Sequence, residues 1–238
     1  MEAWQDEAIV LAVRAHGEGH AVASVLARAH GHWRGHVRGG SSRAGRAVWQ
    51  PGNRLGLHWT ARIADQLGQF AGELADAAAA RALDDPGALA ILAAACAVAE
   101  GALPEREPHP LAFAGLAALL ERIGEGDGLA PDYVRWEAAL LAELGYGLDL
   151  SGCAVTGRAD DLAYVSPRTG RAVSRAAAEP WKHRLLALPP FLLGNAAVGP
   201  QDVAAGLRLT GHFLARDVFG LRHLGLPPAR LRLADRFG

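Results

Sequence analysis

Between residues 55 and 63, Leu55, Leu57, Trp59, Ala61 and Ile63 alternate with Gly56, His58, Thr60 and Arg62. A side-chain period of two over that length demands a half-buried β-strand, with Arg54, His58, Thr60 and Arg62 on its wet face. The segments before it read the same way. Ala8 to Val13 is a short β-branched apolar run, closed by the turn Arg14 to Gly19. Ala21 to Ala27 is a second strand, and His30-Gly31 is a hairpin turn into a third through Trp33, Gly35 and Val37. Gly39 to Gly45 reads as a flexible polar loop, and Gln66 to Glu73 as a fifth strand.

The period then changes. Residues 75–83, 86–101, 110–124 and 131–144 are rich in alanine and leucine, and their boundaries carry Asp85-Pro86-Gly87, Pro108-His109-Pro110 and the glycines of 124–128. Tyr133, Trp136, Leu140, Leu141 and Leu144 fall at helical spacing and read as core. Residues 145–175 are irregular, with a hairpin around 163–170. Helices resume at 176–186 and, after Pro189-Pro190, at 200–222. The expected fold class is therefore α+β and multidomain. A five-stranded barrel of the oligonucleotide-binding (OB) type spans 1–74, and an α-helical domain with an irregular insertion at 145–178 spans 75–238.

The chain has 238 residues, half of them hydrophobic, which suffices for a real core. Cys96 and Cys153 are too few for a disulfide scaffold. The start, Met1-Glu2-Ala3-Trp4-Gln5-Asp6-Glu7, is acidic and unlike a signal peptide. The apolar run 88–99 is too short to span a bilayer. A cytoplasmic, nucleoid-associated protein without membrane contact is expected.

The net charge of −1 hides an uneven distribution. From Gly19 to Ala64 there is no Asp or Glu, while Arg28, Arg34, Arg38, Arg43, Arg46, Arg54 and Arg62 lie there with three tryptophans. Residues 65–149 hold fifteen acids against four arginines. Arginines without acids repel one another, so the stretch points to an anionic partner, and guanidinium forks suit phosphate oxygens. Arg34, Arg38, Arg43 and Arg46, flanked by Arg14 and Arg62, are the expected nucleic-acid contacts. Trp33 and Trp49 are each a base-stacking surface or barrel core, and Trp59 is core by its parity with Leu55 and Leu57. Arg230, Arg232 and Arg236 near the C-terminus are a fallback DNA surface.

Catalytic signatures are missing. His30, His32 and His36 share a strand face but have no carboxylate or cysteine nearby in sequence, so a metal site is not expected there. Gly39-Gly40-Ser41-Ser42-Arg43 lacks the Gly-Lys-Ser/Thr ending of a phosphate loop. An enzyme would have to assemble a site from distant residues such as Asp160, Asp161 and His183. We expect no enzyme activity and no cofactor.

Several ordered motifs carry a resemblance. They are Trp4-x-Asp6-Glu7-Ala8-Ile9-Val10-Leu11, Arg14-x-His16-Gly17-Glu18, Ala29-His30-Gly31, Val37-Arg38-Gly39-Gly40-x-Ser42-Arg43 and Gln50-Pro51-Gly52. Further on come Leu141 to Cys153 and Tyr164-Val165-Ser166-Pro167-x-Thr169-Gly170-Arg171-Ala172-Val173-Ser174. In this order, and over essentially the whole chain, they resemble the RecO family of bacterial recombination mediators, in its alphaproteobacterial form. The resemblance implies an N-terminal OB barrel, a helical domain and, in some members, a zinc-ribbon-like insertion. It also implies DNA repair and recombination in the RecF pathway. Members bind single- and double-stranded DNA, anneal complementary strands, and act with RecR to load RecA onto strands coated by single-strand-binding protein, whose acidic C-terminal tail they recognise. The four zinc-ligand positions of such members fall here on Cys153, Thr156, Ser174 and Ala177, only one of them a thiol, so bound zinc is not expected. A different reading is a non-catalytic adaptor whose basic loop docks on an acidic protein partner.

Overall fold

The computed structural model describes residues 1–63, 66–126, 128–194 and 197–238. The chain divides into two compact units, residues 1–127 and 128–238. The first begins with β1 (Glu2–Ala15), β2 (Ala21–Ala27), β3 (Gly31–Val37), α1 (Arg43–Val48), β4 (Arg54–Ala61) and β5 (Gln69–Asp76). It continues with α2 (Ala78–Arg81), α3 (Pro86–Ala102) and α4 (Pro110–Glu121).

The five strands close into a barrel in the order β1-β2-β3-β5-β4, and β1 bonds to both β2 and β4. One strand serves two partners because it is long and bends at a register shift between Val10 and Ala12. Its polar start, Glu2 to Glu7, hides this length from a hydrophobicity pattern. The pairings β1–β2, β2–β3, β1–β4 and β4–β5 are antiparallel, whereas β3 and β5 run parallel. Alternate residues Ala21, Ala23, Val25, Ala27, Leu55, Leu57 and Trp59 fill the barrel with Val37, Trp49 and Phe70. Gly35 has no side chain because the Phe70 ring occupies the place of its Cβ, 2.7 Å away. Ile63 does not continue the alternation: β4 ends at Ala61, and Ile63 is 60% exposed.

The polar stretch after β3 is not wholly a loop. Ser42 caps α1 by accepting the Gly45 N–H at 3.0 Å, so Arg43 and Arg46 ride on a short helix. Asn53 ties that helix to its surroundings: its amide donates to the Ala47 and Val48 carbonyls, and its oxygen accepts the Ala79 N–H.

The second unit contains α5 (Leu129–Glu143), a sheet ordered β7-β6-β8, α6 (Arg175–Ala178), α7 (Pro200–Phe213) and α8 (Pro228–Asp235). The strands are β6 (Leu162–Val165), β7 (Ala172–Ser174) and β8 (Leu186–Ala187). The helix expected over 176–186 is short, giving way to a 3-10 turn at Glu179–Arg184 and then to β8. Pro180 is the second residue of that turn, and without a backbone N–H it cannot continue the helical ladder. Past Phe213 the long helix widens to π-type turns over Leu214–Phe219. Arg230 is buried, which removes it from any DNA surface. It donates from Nε to Glu137 Oε1 at 2.5 Å and from Nη2 to the Leu207 carbonyl at 2.7 Å, while Tyr133 and Thr210 also donate to Glu137.

Candidate nucleic-acid interface

Strand register decides which basic residues share an end of the barrel. One rung crosses all five strands: Arg14 faces Val22, Val22 faces His36, His36 faces Gln69, and Gln69 faces Thr60. The rung lies where β1, β3 and β4 end and where β2 and β5 begin. Arg14, His16, His20, Arg38 and Arg62 follow from it, and the His16 and His36 rings are 5.0 Å apart. A depression of about 450 Å³ is lined here by His36, Thr60, Arg62, Leu67 and Gln69.

The other end of the barrel treats its arginines differently. Glu7 pairs with both Arg28 and Arg54, and Arg54 also reaches Glu121 at 2.7 Å. Asp6 holds His30 Nδ1 at 2.9 Å and accepts the Ala29 N–H. The stretch free of acids in sequence is therefore not free of them in space, because β1 and α4 supply carboxylates to one end.

The residues named from sequence divide accordingly. Arg38, Arg43, Arg46 and Arg62 are exposed and, among the described residues, none is in an ion pair; Arg46 donates only to the Ser41 carbonyl. Arg14 lies 3.5 Å from Glu100, and Arg34 lies 3.0 Å from Glu105. Trp49 is 6% exposed and stacked on Phe70 in the barrel core, so it has no face for a base. Trp33 is half-buried: its indole donates to the His30 carbonyl, it packs against Trp59, and the Arg106 guanidinium sits 4.7 Å over its ring.

A strap explains the cover on Trp33 and Arg34. Glu105 forms a parallel bridge with His32, and the Arg106 N–H donates to the His32 carbonyl at 2.8 Å. Arg106 has a φ of 63°, in the region that side chains rarely adopt, and its guanidinium also reaches the Gln66 carbonyl. Gly31 (φ 73°) permits the approach, since a Cβ there would meet the Glu107 carbonyl oxygen. Nothing in the run around Pro104 marks it from sequence as a cover for β3.

His32 is buried under the strap. The Leu103 carbonyl can only accept, so Nδ1 carries the proton, and Nε2 accepts the Ser24 hydroxyl at 2.7 Å. Burial lowers its pKa below the usual histidine value, partly offset by the bond to Leu103. With both ring nitrogens engaged and His30 held by Asp6, the two imidazoles do not converge as ligands.

In the second unit, Cys153 Sγ accepts hydrogen bonds from Ser174 N (3.3 Å) and Ser174 Oγ (3.4 Å), and Ala177 packs beside it. One thiol, the two hydroxyls of Thr156 and Ser174 and the methyl group of Ala177 do not fit a four-ligand zinc, and no cluster of three metal-ligating side chains exists among the described residues. Asp160 is held by Arg158 and Asp161 by Arg175, which leaves neither as a free base.

The fold defines a class: a small closed β-barrel, with exposed arginines past one end and on α1 that are in no ion pair among the described residues, followed by helices. A family model described as Recombination protein O N terminal matches residues 1–77, and one described as Recombination protein O C terminal matches residues 83–225. "DNA repair protein RecO" of Granulibacter bethesdensis is 57% identical over 236 residues, covering 98% of this chain and 94% of that protein. The protein of the same name from Acidiphilium cryptum is 58% identical with the same coverage, and that from Phenylobacterium zucineum is 55% identical, covering 98% and 96%. The chain belongs to the RecO family of DNA repair and recombination proteins. No helix among the described residues is long and apolar enough to cross a membrane.

Proposed function

We propose that this chain is a non-catalytic recombination mediator that binds single- and double-stranded DNA, anneals complementary strands, and works with RecR to load RecA onto strands coated by single-strand-binding protein, whose C-terminal tail it recognises. Residues 1–74 act as an OB-type nucleic-acid domain, and residues 75–238 as a helical domain whose insertion at 145–178 is a zinc ribbon without its ligand set. The observation that carries this reading is the exposed set Arg38 and Arg62, past one end of the barrel, with Arg43 and Arg46 on α1, which no carboxylate among the described residues neutralises. OB folds bind strands on the β2–β3 face and through the β1–β2 and β4–β5 loops, the connections nearest these arginines. Arg14 and Arg34 join them by exchanging a carboxylate for a phosphate, and Trp33 contributes a stacking face when Arg106 moves aside.

Arginine on phosphate gives affinity without sequence preference. Two strands repel through their phosphates. A surface that neutralises one strand loosely while it meets a second lowers that barrier without ATP, metal or cofactor. Fluorescence anisotropy with a labelled single-stranded oligonucleotide across a salt series, followed by annealing to its complement without ATP, tests the reading. Salt-sensitive binding and faster annealing are expected. Absence of binding at low salt would make the basic end an adaptor surface for an acidic protein.

A further inference from the structure

The second unit carries a smaller version of the same pattern. Residues 180–201 contain no Asp or Glu, and Trp181-Lys182-His183-Arg184 opens that run. These four lie in the 3-10 turn Glu179–Arg184, which buries none of its residues. Trp181 is 50% exposed, an unusual position for the side chain that gains most from burial. Pro180, the second residue of the turn, fixes its backbone at the start, and β8 follows it.

Side chains three apart on a 3-10 helix eclipse one another, so Trp181 and Arg184 project from the same side. Lys182 has one long contact, 3.9 Å to Glu179, between side chains that are both more than half exposed, and such a pair holds little. Among the described residues His183 and Arg184 are in no ion pair.

We infer that this turn is a second contact for single-stranded nucleic acid, one base stacking on Trp181 while Lys182 and Arg184 hold the flanking phosphates. An acidic protein would satisfy the cations but would leave the indole without a flat partner, whereas a strand supplies both a π-face and phosphates at each nucleotide. The inference rests on the reading of the chain as a DNA-binding mediator and adds a division of labour. The barrel arginines hold one strand and the Trp181 turn receives another, so a single chain presents the two strands that annealing needs.

The test uses the full chain and two non-complementary oligothymidylates, one with a donor dye and one with an acceptor. Anisotropy reports binding of the first strand, and energy transfer reports capture of the second. The variants are W181A/R184A and the charge reversal K182E/R184E; all three positions are exposed, so circular dichroism is expected to match wild type. We expect first-strand affinity within about twofold of wild type and second-strand capture weakened roughly fivefold or more, as loss of one base stack implies. Undiminished capture in both variants, or a wild type that binds one strand and never a second, overturns the inference but leaves the mediator reading standing. A wild type that binds no strand overturns both.

Discussion

Single side chains decide how much of the basic stretch is available to a ligand. Glu105 is the clearest case, because its carboxylate sits on Arg34 while its neighbour Arg106 covers Trp33. Glu105→Gln should raise affinity for single-stranded DNA a few-fold in anisotropy titrations at low salt, and lower affinity would show that the strap assists binding. His32 sets a pH dependence. Its folded pKa lies below the unfolded value of about 6.5, so the unfolded chain takes up the proton first. Its contribution to stability is complete above about pH 6.5 and is lost as pH falls through the folded pKa. Urea midpoints should therefore drop between pH 7.5 and 5, and the drop should be smaller in His32→Gln; equal drops would assign the effect to other groups. The arginine cluster was legible in the sequence because it lacked acids. Its partial neutralisation was not, since Glu7, Glu100, Glu105 and Glu121 approach from elements outside the stretch.

At the scale of elements, strands with a clean period of two could be read from residues, and those with another duty could not. β2 lies where the pattern put it, while Glu2 to Glu7 of β1, which pair along β4, are mostly polar and gave no signal. α1 was hidden by Gly39-Gly40-Ser41-Ser42, whose turn chemistry masks a serine cap. Trp49 could not be assigned from sequence because it lies just past α1, outside any strand parity, yet it fills the barrel. α8 depends on one buried ion pair. Arg230→Ala would strand the Glu137 carboxylate beside Tyr133 and Thr210, at a cost of about 3–5 kcal/mol, measurable as a lower urea midpoint. Replacing both Arg230 and Glu137 by methionine should cost less, because no charge is then left buried; an equal loss would place the stabilisation in packing.

Over the whole molecule, a net charge of −1 says little about function, since the charge is sorted by place. One end of the barrel pairs its arginines with Glu7 and Glu121, whereas Arg38 and Arg62 past the other end, and Arg43 and Arg46 on α1, are exposed and in no ion pair among the described residues. The same sorting appears in the second unit, where Asp149, Asp160 and Asp161 are matched by arginines and, among the described residues, the cations of the Trp181 turn meet only Glu179. Such patches give binding that depends on counterion release and not on base identity. The most direct test is the salt dependence of single-stranded DNA affinity in R38A/R43A/R46A against wild type. Each lost phosphate contact should flatten the log–log slope by about 0.7, so the account predicts a change of roughly 2 together with weaker binding. A variant with the wild-type slope would contradict it and put the DNA surface elsewhere on the chain.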